Sequence, residues 1–301
     1  MTTIEEVIKS NRPNITASSI KTYSSFLRNI YKEVYPKDNH IDLDKFNKPE
    51  PFLEHLKNVD GSKRKTILAA LVVITNGNEK YRELMMADGK KYNEEQKENK
   101  MSETQKSNWV TQDEIKNLFL KYQKEANALF KLTSHSMNQL QRIQDFILLC
   151  LTSGIYFPPR RSTDWTEMKY KNYTKEEHNY YDKKVFGFAK YKTAKVFHEQ
   201  TIDVPNELKK ILNKWIKLIP DSCDYLLFDA KGNKLSNVKV TQRLNKIFGK
   251  NASVSILRHS YITEKYEKQS LGNLTLKDIQ ETATEMGHSL QQHLEYIKNN
   301  D

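Results

Sequence analysis

Four short stretches carry side chains whose types suit work on a phosphate ester. "PPRRSTDWTEM" sets Arg160 and Arg161 directly after two prolines. Proline restricts the backbone, so the pair should emerge from a fixed turn. Asp164, three residues beyond Arg161 on one helix face, would hold that guanidinium by bidentate hydrogen bonding, as a phosphate-binding arginine requires. "KYKTAKVF" places Lys190, Lys192 and Lys195 around an expected hairpin tip, where a mobile ammonium suits proton delivery to a leaving group. "SILRHSYIT" brings Arg258 and His259 behind an apolar pair at the start of a helical pattern. An arginine there is partly buried or aimed into a cleft, and either way needs an anionic partner. In "MGHS" the imidazole of His288 follows a glycine at an expected turn into the last helix, and Tyr296 lies eight positions on, about two helical turns.

Taken singly, each stretch has a plainer reading: a surface charge pair, idle turn lysines, a terminal core aromatic. Two arginines, a lysine, a histidine and a tyrosine in this order form a much rarer set than any one of them.

The chain that must gather these groups has 301 residues, enough for two domains that each bury a core. Its net charge of +11 favours a polyanionic partner, and most of the excess lies beyond residue 100. No apolar run approaches the ~20 residues of a membrane span. "MTTIEEVIKS" lacks the pattern of a signal peptide. Cys150, inside "FILLC", reads as a buried small hydrophobe, and Cys223 has no neighbour at metal spacing. Two such cysteines imply a reducing, intracellular setting and no zinc site.

The first hundred residues read as helices. In "ITASSIKTYSSFLRNIYKEVY", Ile20, Tyr23, Leu27, Ile30, Tyr31 and Val34 make one apolar face, with Thr16 or Ser18 as cap. "DKFNKPEPFLEHLKNV" suggests two short segments broken at Pro49 and Pro51, and "SKRKTILAALVVITN" an apolar helix with a basic start. Residues 87–108, almost free of apolar side chains, are an extended linker or the solvated end of a helix, and mark a boundary between domains at 1–105 and 106–301. Beyond it, Thr111 and Glu114 suggest a capping box, and "NQLQRIQDFILLCLTSGIY" a buried helix. "NYYDKKVFGFAKYKTAKVFHEQTIDVP" reads as two or three strands, "YLLFDAKGNKLS" as a short strand and turn, and the remainder as helices. The expected fold is mainly α with a small antiparallel sheet (α+β).

Together the four stretches resemble the tyrosine recombinase (integrase) family, whose second domain runs Arg, Lys, His-x-x-Arg, Gly-His, Tyr. "SSIKTYSSFLRNIY" is similar to the first helix of that family's core-binding domain, "WVTQDEIKNLF" to the opening of its catalytic domain, and "YLLFDAKGNKLS" to the segment ahead of the second arginine box. The "PPRR" form is most similar to the branch found in cryptons, virophages and large DNA viruses. Carried over, Arg161 matches the first arginine because Asp164 falls at the family's Glu position, with Arg160 the competing choice. Lys192 matches the lysine, Arg258 the second arginine, His288 the histidine of Gly-His, and Tyr296 the nucleophile. Two positions depart from the pattern. Ser255 stands where the family has His, and a serine is a poor proton acceptor near neutral pH, so proton transfer would fall to His259 or His288. The step from Gly-His to Tyr is one residue shorter than is common.

The resemblance implies cleavage and rejoining of DNA through a 3′-phosphotyrosyl link, without metal or other cofactor. Arg161 and Arg258 would bind non-bridging oxygens, each guanidinium contributing about 3 kcal/mol, or roughly a hundredfold in rate. Lys192 would protonate the departing 5′-oxygen, and His288 would bond the phosphate and help deprotonate the tyrosine. The implied partners are double-stranded DNA and further copies of the chain, as a dimer or tetramer on that DNA, in the nucleus or cytoplasm of a host cell. "SKRK" (Ser62 to Lys65) and "KVTQRLNK" (Lys239 to Lys246) are the stretches expected on phosphates. The short tail after Tyr296 suggests that any exchange between protomers uses the tyrosine helix itself or another surface. Two other functions stay open: a type IB topoisomerase or telomere resolvase, and a DNA-binding protein that has lost catalysis.

Overall fold

The computed structural model describes residues 2–97, 99–268 and 275–298. The chain packs as two compact units, Met1–Glu98 and Asn99–Asp301.

The first unit is helical: α1 (Ile4–Asn11), α2 (Ala17–Val34), α3 (Pro49–Leu56), α4 (Gly61–Ile74) and α5 (Glu79–Lys97). Thr16 caps α2, its hydroxyl accepting from the Ser19 amide at 3.2 Å. Leu27, Ile30 and Tyr31 of the expected face are buried against Leu68 and Leu71 of α4. Two short segments do form, a 3-10 helix (Leu43–Asn47) and α3, with the break just before Pro49; Pro51 is no second break, since both prolines open α3. The first amides of a helix have no acceptor within it, so a proline there forfeits nothing. The polar stretch from residue 87 is in its first part the solvated end of α5 rather than an extended linker.

The second unit contains α6 (Glu103–Asn108), α7 (Gln112–Leu129), α8 (Met137–Thr152), α9 (Ser162–Thr166), β1 (Met168–Lys169), β2 (Asn179–Tyr181), β3 (Val185–Phe188), α10 (Ala194–Phe197), β4 (Gln200–Asp203), α11 (Asn206–Trp215), α12 (Asn237–Phe248), α13 (Val254–Lys268), α14 (Leu276–Glu285) and α15 (Leu290–Glu295). The expected helix running to Gln269 and the last three residues extend past the described ones. The fold is mainly α with one small sheet, in the order β1-β2-β3-β4. That sheet is mixed and not purely antiparallel, because β1 joins β2 in parallel. Residues 225–228, expected as a strand, form only single-residue bridges. Gln144 of α8 stands in for a neighbouring strand there: its amide donates to the Phe228 carbonyl at 2.9 Å and accepts from the Phe228 amide at 2.8 Å.

The core of this unit surrounds α8, which is buried from Ile143 to Thr152 except at Asp145. Thr111 caps α7, but the Glu114 carboxylate pairs with Lys250 at 2.8 Å instead of closing a capping box. Under α9, Trp165 meets Phe157, Phe186 and Phe188 with ring centroids 5.1–5.5 Å apart. This aromatic cluster anchors the segment from which Arg160 and Arg161 emerge. Among the described residues, no helix is long and apolar enough to cross a membrane.

Candidate active site

The site is organised by the end of α14. The helix closes in a Schellman turn: the His288 amide donates to the Ala283 carbonyl at 3.1 Å, and the Gly287 amide to Thr284 at 2.9 Å. Gly287 takes φ +67°, a left-handed conformation, and a Cβ there would lie 2.6 Å from Nη2 of Arg160. Both facts demand glycine. The turn leaves the carbonyls of residues 285, 286 and 287 facing outward from the helix end, where partial negative charge collects. Three arginines take them. Arg160 Nη1 donates to Glu285 O at 2.6 Å, Arg258 Nη1 to Met286 O at 3.3 Å, and Arg161 Nη1 to Gly287 O at 2.6 Å.

The two adjacent arginines part company. Arg161 has an extended backbone, so its side chain and that of Arg160 leave on opposite sides. Asp164 therefore pairs with Arg160, Nε to Oδ2 at 3.0 Å with both side chains fully buried, and not with Arg161 as its spacing suggested. Arg160 also bonds Gln200 at 2.9 Å and stacks on Phe188, 4.0 Å from Cζ to the ring centroid. It is an internal strut. Burial lowers its affinity for a proton and raises that of Asp164, and the charges of the pair oppose both shifts.

Arg161 lines a cleft of about 340 Å³ together with Lys192, Ser255, Arg258, Gln292 and Tyr296. Hydroxyls of Ser162, Thr163, Thr241 and Ser253 add to its wall, and among the described residues no carboxylate does. Lys192 is exposed, on an eleven-residue connection between β3 and β4 that carries α10, not on a tight hairpin tip. Arg258, on α13, is 1% exposed, and burial pushes its guanidinium down to about 10, still charged at neutral pH. Tyr296 ends α15, half-buried, with its ring centroid 4.9 Å from Arg258 Cζ, 4.3 Å from His259 and 5.1 Å from His288.

The histidines do not face the cleft as the sequence suggested. His288 is buried behind the tyrosine ring, with Nδ1 2.6 Å from Arg258 Nη2 and Nε2 2.9 Å from His293 Nδ1. A guanidinium only donates, so Nδ1 of His288 accepts, its Nε2–H donates to His293, and His293 carries its own proton on Nε2. That last atom is buried without a partner among the described residues. His288 thus has no lone pair left for a tyrosine proton. Burial first, and the Arg258 charge second, pushes His288 down to about 2; burial likewise pushes His293 and His259 down to about 4. His259 Nδ1 donates to the Tyr296 carbonyl at 2.9 Å, holding the residue by its backbone.

Of the residues singled out in sequence, Arg161, Lys192, Arg258, Tyr296 and Ser255 meet at one cleft; His288 and His259 flank the tyrosine, and Arg160 lies beneath. His293 and Thr193 were not anticipated. The first is signalled only by a second His one helical turn past the Ser289 cap, the second by nothing local. The expected basic stretches turn their arginines inward: Arg64 forms a two-pronged pair with Asp88 at 2.7 and 2.6 Å, and Arg243 pairs with Asp145 at 2.7 Å. Lys63, Lys239 and Lys246 remain exposed.

No protein-family model matches the sequence, and no curated protein matches it. Among solved structures, the crystal structure of XerA recombinase is similar to this chain at 14% identity and a TM-score of 0.42, over 99% of this chain and 92% of that one.

Proposed function

We propose that the chain is a DNA strand transferase of the tyrosine recombinase type, with Tyr296 as nucleophile. The observation that supports this most is the convergence of Arg161, Lys192 and Arg258 on the cleft that Tyr296 lines. The phenol oxygen attacks the phosphorus of a DNA phosphodiester, the bond to the 5′-oxygen breaks, and a phosphotyrosyl ester remains. Arg161 and Arg258 hold the non-bridging oxygens, where charge grows in the transition state. Lys192 gives its proton to the leaving 5′-oxygen. The phenol proton leaves to solvent, which reaches the half-buried ring. His288 acts from behind, orienting Arg258. Covalent storage of the phosphoryl group lets the second half-reaction reverse the first without a cofactor. The 3′ polarity of the link follows from the resemblance of the Arg, Lys, Arg, Gly-His, Tyr order to tyrosine recombinases, as does assembly of several copies on one duplex.

The test does not require a known target. Wild type and Tyr296→Phe are incubated with nicked duplexes of randomised sequence and run on a denaturing gel. The expected result is a slow-migrating adduct with wild type alone, whose recovered DNA shares a sequence. An adduct that persists in Tyr296→Phe, or none with wild type, removes the proposal. Relaxation of plasmids irrespective of sequence would turn it toward a type IB topoisomerase.

A further inference from the structure

We infer that Thr193 is a positioning residue that holds Lys192 in register with Arg161, an inference that rests on the transferase reading of the same cleft. Thr193 occupies the cap position of α10, where a hydroxyl ordinarily accepts from an amide of the first turn. It makes no such bond. Its Oγ1 donates instead to the Gly287 carbonyl at 2.8 Å, across 94 residues of sequence. That carbonyl is also the one that receives Arg161 Nη1 at 2.6 Å. A single oxygen thus fixes the neighbour of the ammonium and one of the two guanidinium groups.

The other side of Lys192 is tethered as well. The Lys190 amide donates to Asn179 Oδ1 at 2.7 Å, and Asn179 Nδ2 donates back to the Lys190 carbonyl at 2.9 Å. Tyr191 donates through its hydroxyl to the His198 carbonyl at 2.7 Å. The exposed lysine therefore hangs between a fixed residue 190 and a fixed residue 193. The other ties reach the buried side of the arginine segment, Tyr191 with the Arg160 guanidinium 5.0 Å over its ring and Asn179 donating to the Asp164 carbonyl at 3.0 Å, whereas that of Thr193 ends on the same Gly287 carbonyl as Arg161. Without it the loop keeps its root on the sheet, while the distance from ammonium to Arg161 is no longer set. A proton donor must lie within hydrogen-bond reach of its acceptor, so a loss of register falls on the leaving-group step.

The experiment compares Thr193→Val, which keeps the shape and removes the hydroxyl, with Thr193→Ser, which keeps the hydroxyl. Single-turnover adduct formation is measured on the selected duplex with an ordinary 5′-oxygen at the scissile bond and with a bridging 5′-sulfur. A thiolate leaves without being protonated, so the sulfur substrate bypasses the acid. Thr193→Val should be about tenfold slow on oxygen, part of the ~100-fold or more that a positioned acid supplies. It should reach the wild-type rate on sulfur, as Lys192→Ala does, whereas Arg161→Ala stays slow on both. Thr193→Ser should match wild type throughout. A Thr193→Val enzyme equal to wild type on oxygen, or equally slow on both substrates, overturns the assignment while leaving the transferase reading intact. A wild type that forms no adduct overturns that reading and this inference with it.

Discussion

Two glycines with the same backbone angle give a controlled test of how the arginine turn is built. Gly249 and Gly287 both sit just past a helix end at φ +67°. Around a Cβ on Gly249 nothing lies within 4 Å, whereas a Cβ on Gly287 would meet Arg160 Nη2 at 2.6 Å and Cζ at 3.1 Å. The tip of an arginine ordinarily moves aside at little cost. This one is fully buried and held by Asp164, Gln200 and the Glu285 carbonyl, so it has nowhere to go. Gly249→Ala should lose only the left-handed penalty, about 1 kcal/mol. Gly287→Ala should lose that and the cost of overpacking, roughly 2–4 kcal/mol in all. At about 2–4 °C per kcal/mol for a domain of this size, the first variant melts a few degrees low and the second two to three times further. Differential scanning calorimetry of both variants beside wild type reads this directly. Equal losses would refute the reasoning, because Arg160 would then be free to withdraw and could not be the strut that shapes the turn.

Three further outcomes follow from the same geometry. Asp164→Asn removes the carboxylate from a fully buried ion pair and should cost about 3–5 kcal/mol in urea unfolding, while Arg161→Ala, at a half-exposed site, should cost far less. The buried rings of His288 and His293 bind protons more weakly in the fold than the ordinary 6.5, so the unfolded chain takes up protons first as the pH falls. Stability is therefore full above about pH 6.5 and drops below it, by about 2 kcal/mol per ring on reaching pH 5, which equilibrium unfolding across that range would reveal as a steep acid limb. His293→Leu leaves the His288 Nε2–H without an acceptor and should disturb its tautomer and slow adduct formation, while His293→Asn supplies an oxygen in place of Nδ1 and restores both; nitrogen chemical shifts of His288 report the tautomer.

How far the sequence reveals this site depends on the range over which each feature is decided. The helices of the first unit, the cap at Thr16 and the burial of α8 follow from local periodicity and are legible in it. The grouping of Arg161, Lys192, Arg258 and Tyr296 is legible too, but only through the resemblance of their order to a known family, since spacing alone leaves Lys190 and Lys195 as open as Lys192. What escapes is settled by contacts between distant segments. Asp164 chose Arg160 because an extended backbone at residue 161 turns the two arginines apart, a fact that helical spacing from Arg161 to Asp164 conceals. His288 went behind the tyrosine because Arg258 and His293 claim its two nitrogens. Pro49 marks the start of a new segment as expected, whereas Pro51 makes no second break, since a residue that breaks a helix in its middle is welcome in its first turn.

The helix end also explains how Arg161 and Arg258 share one cleft, while the third guanidinium, that of Arg160, is paired with Asp164 beneath it. Gathering like charges in a cleft with no carboxylate on its wall among the described residues is unfavourable unless something else faces them, and a helix C-terminus supplies about half a negative charge, spread over its unpaired carbonyls. Each arginine spends one nitrogen of a five-donor group on one of those carbonyls, in the sequence 285, 286, 287. The helix dipole thus offsets part of the mutual repulsion while leaving Arg161 most of its donors for a phosphate. A carboxylate in the same place would neutralise a full charge and compete with the substrate for the fork of the guanidinium. Backbone carbonyls orient the group without doing so, which is why a glycine turn faces Arg161, while the one carboxylate, Asp164, is spent on the buried Arg160.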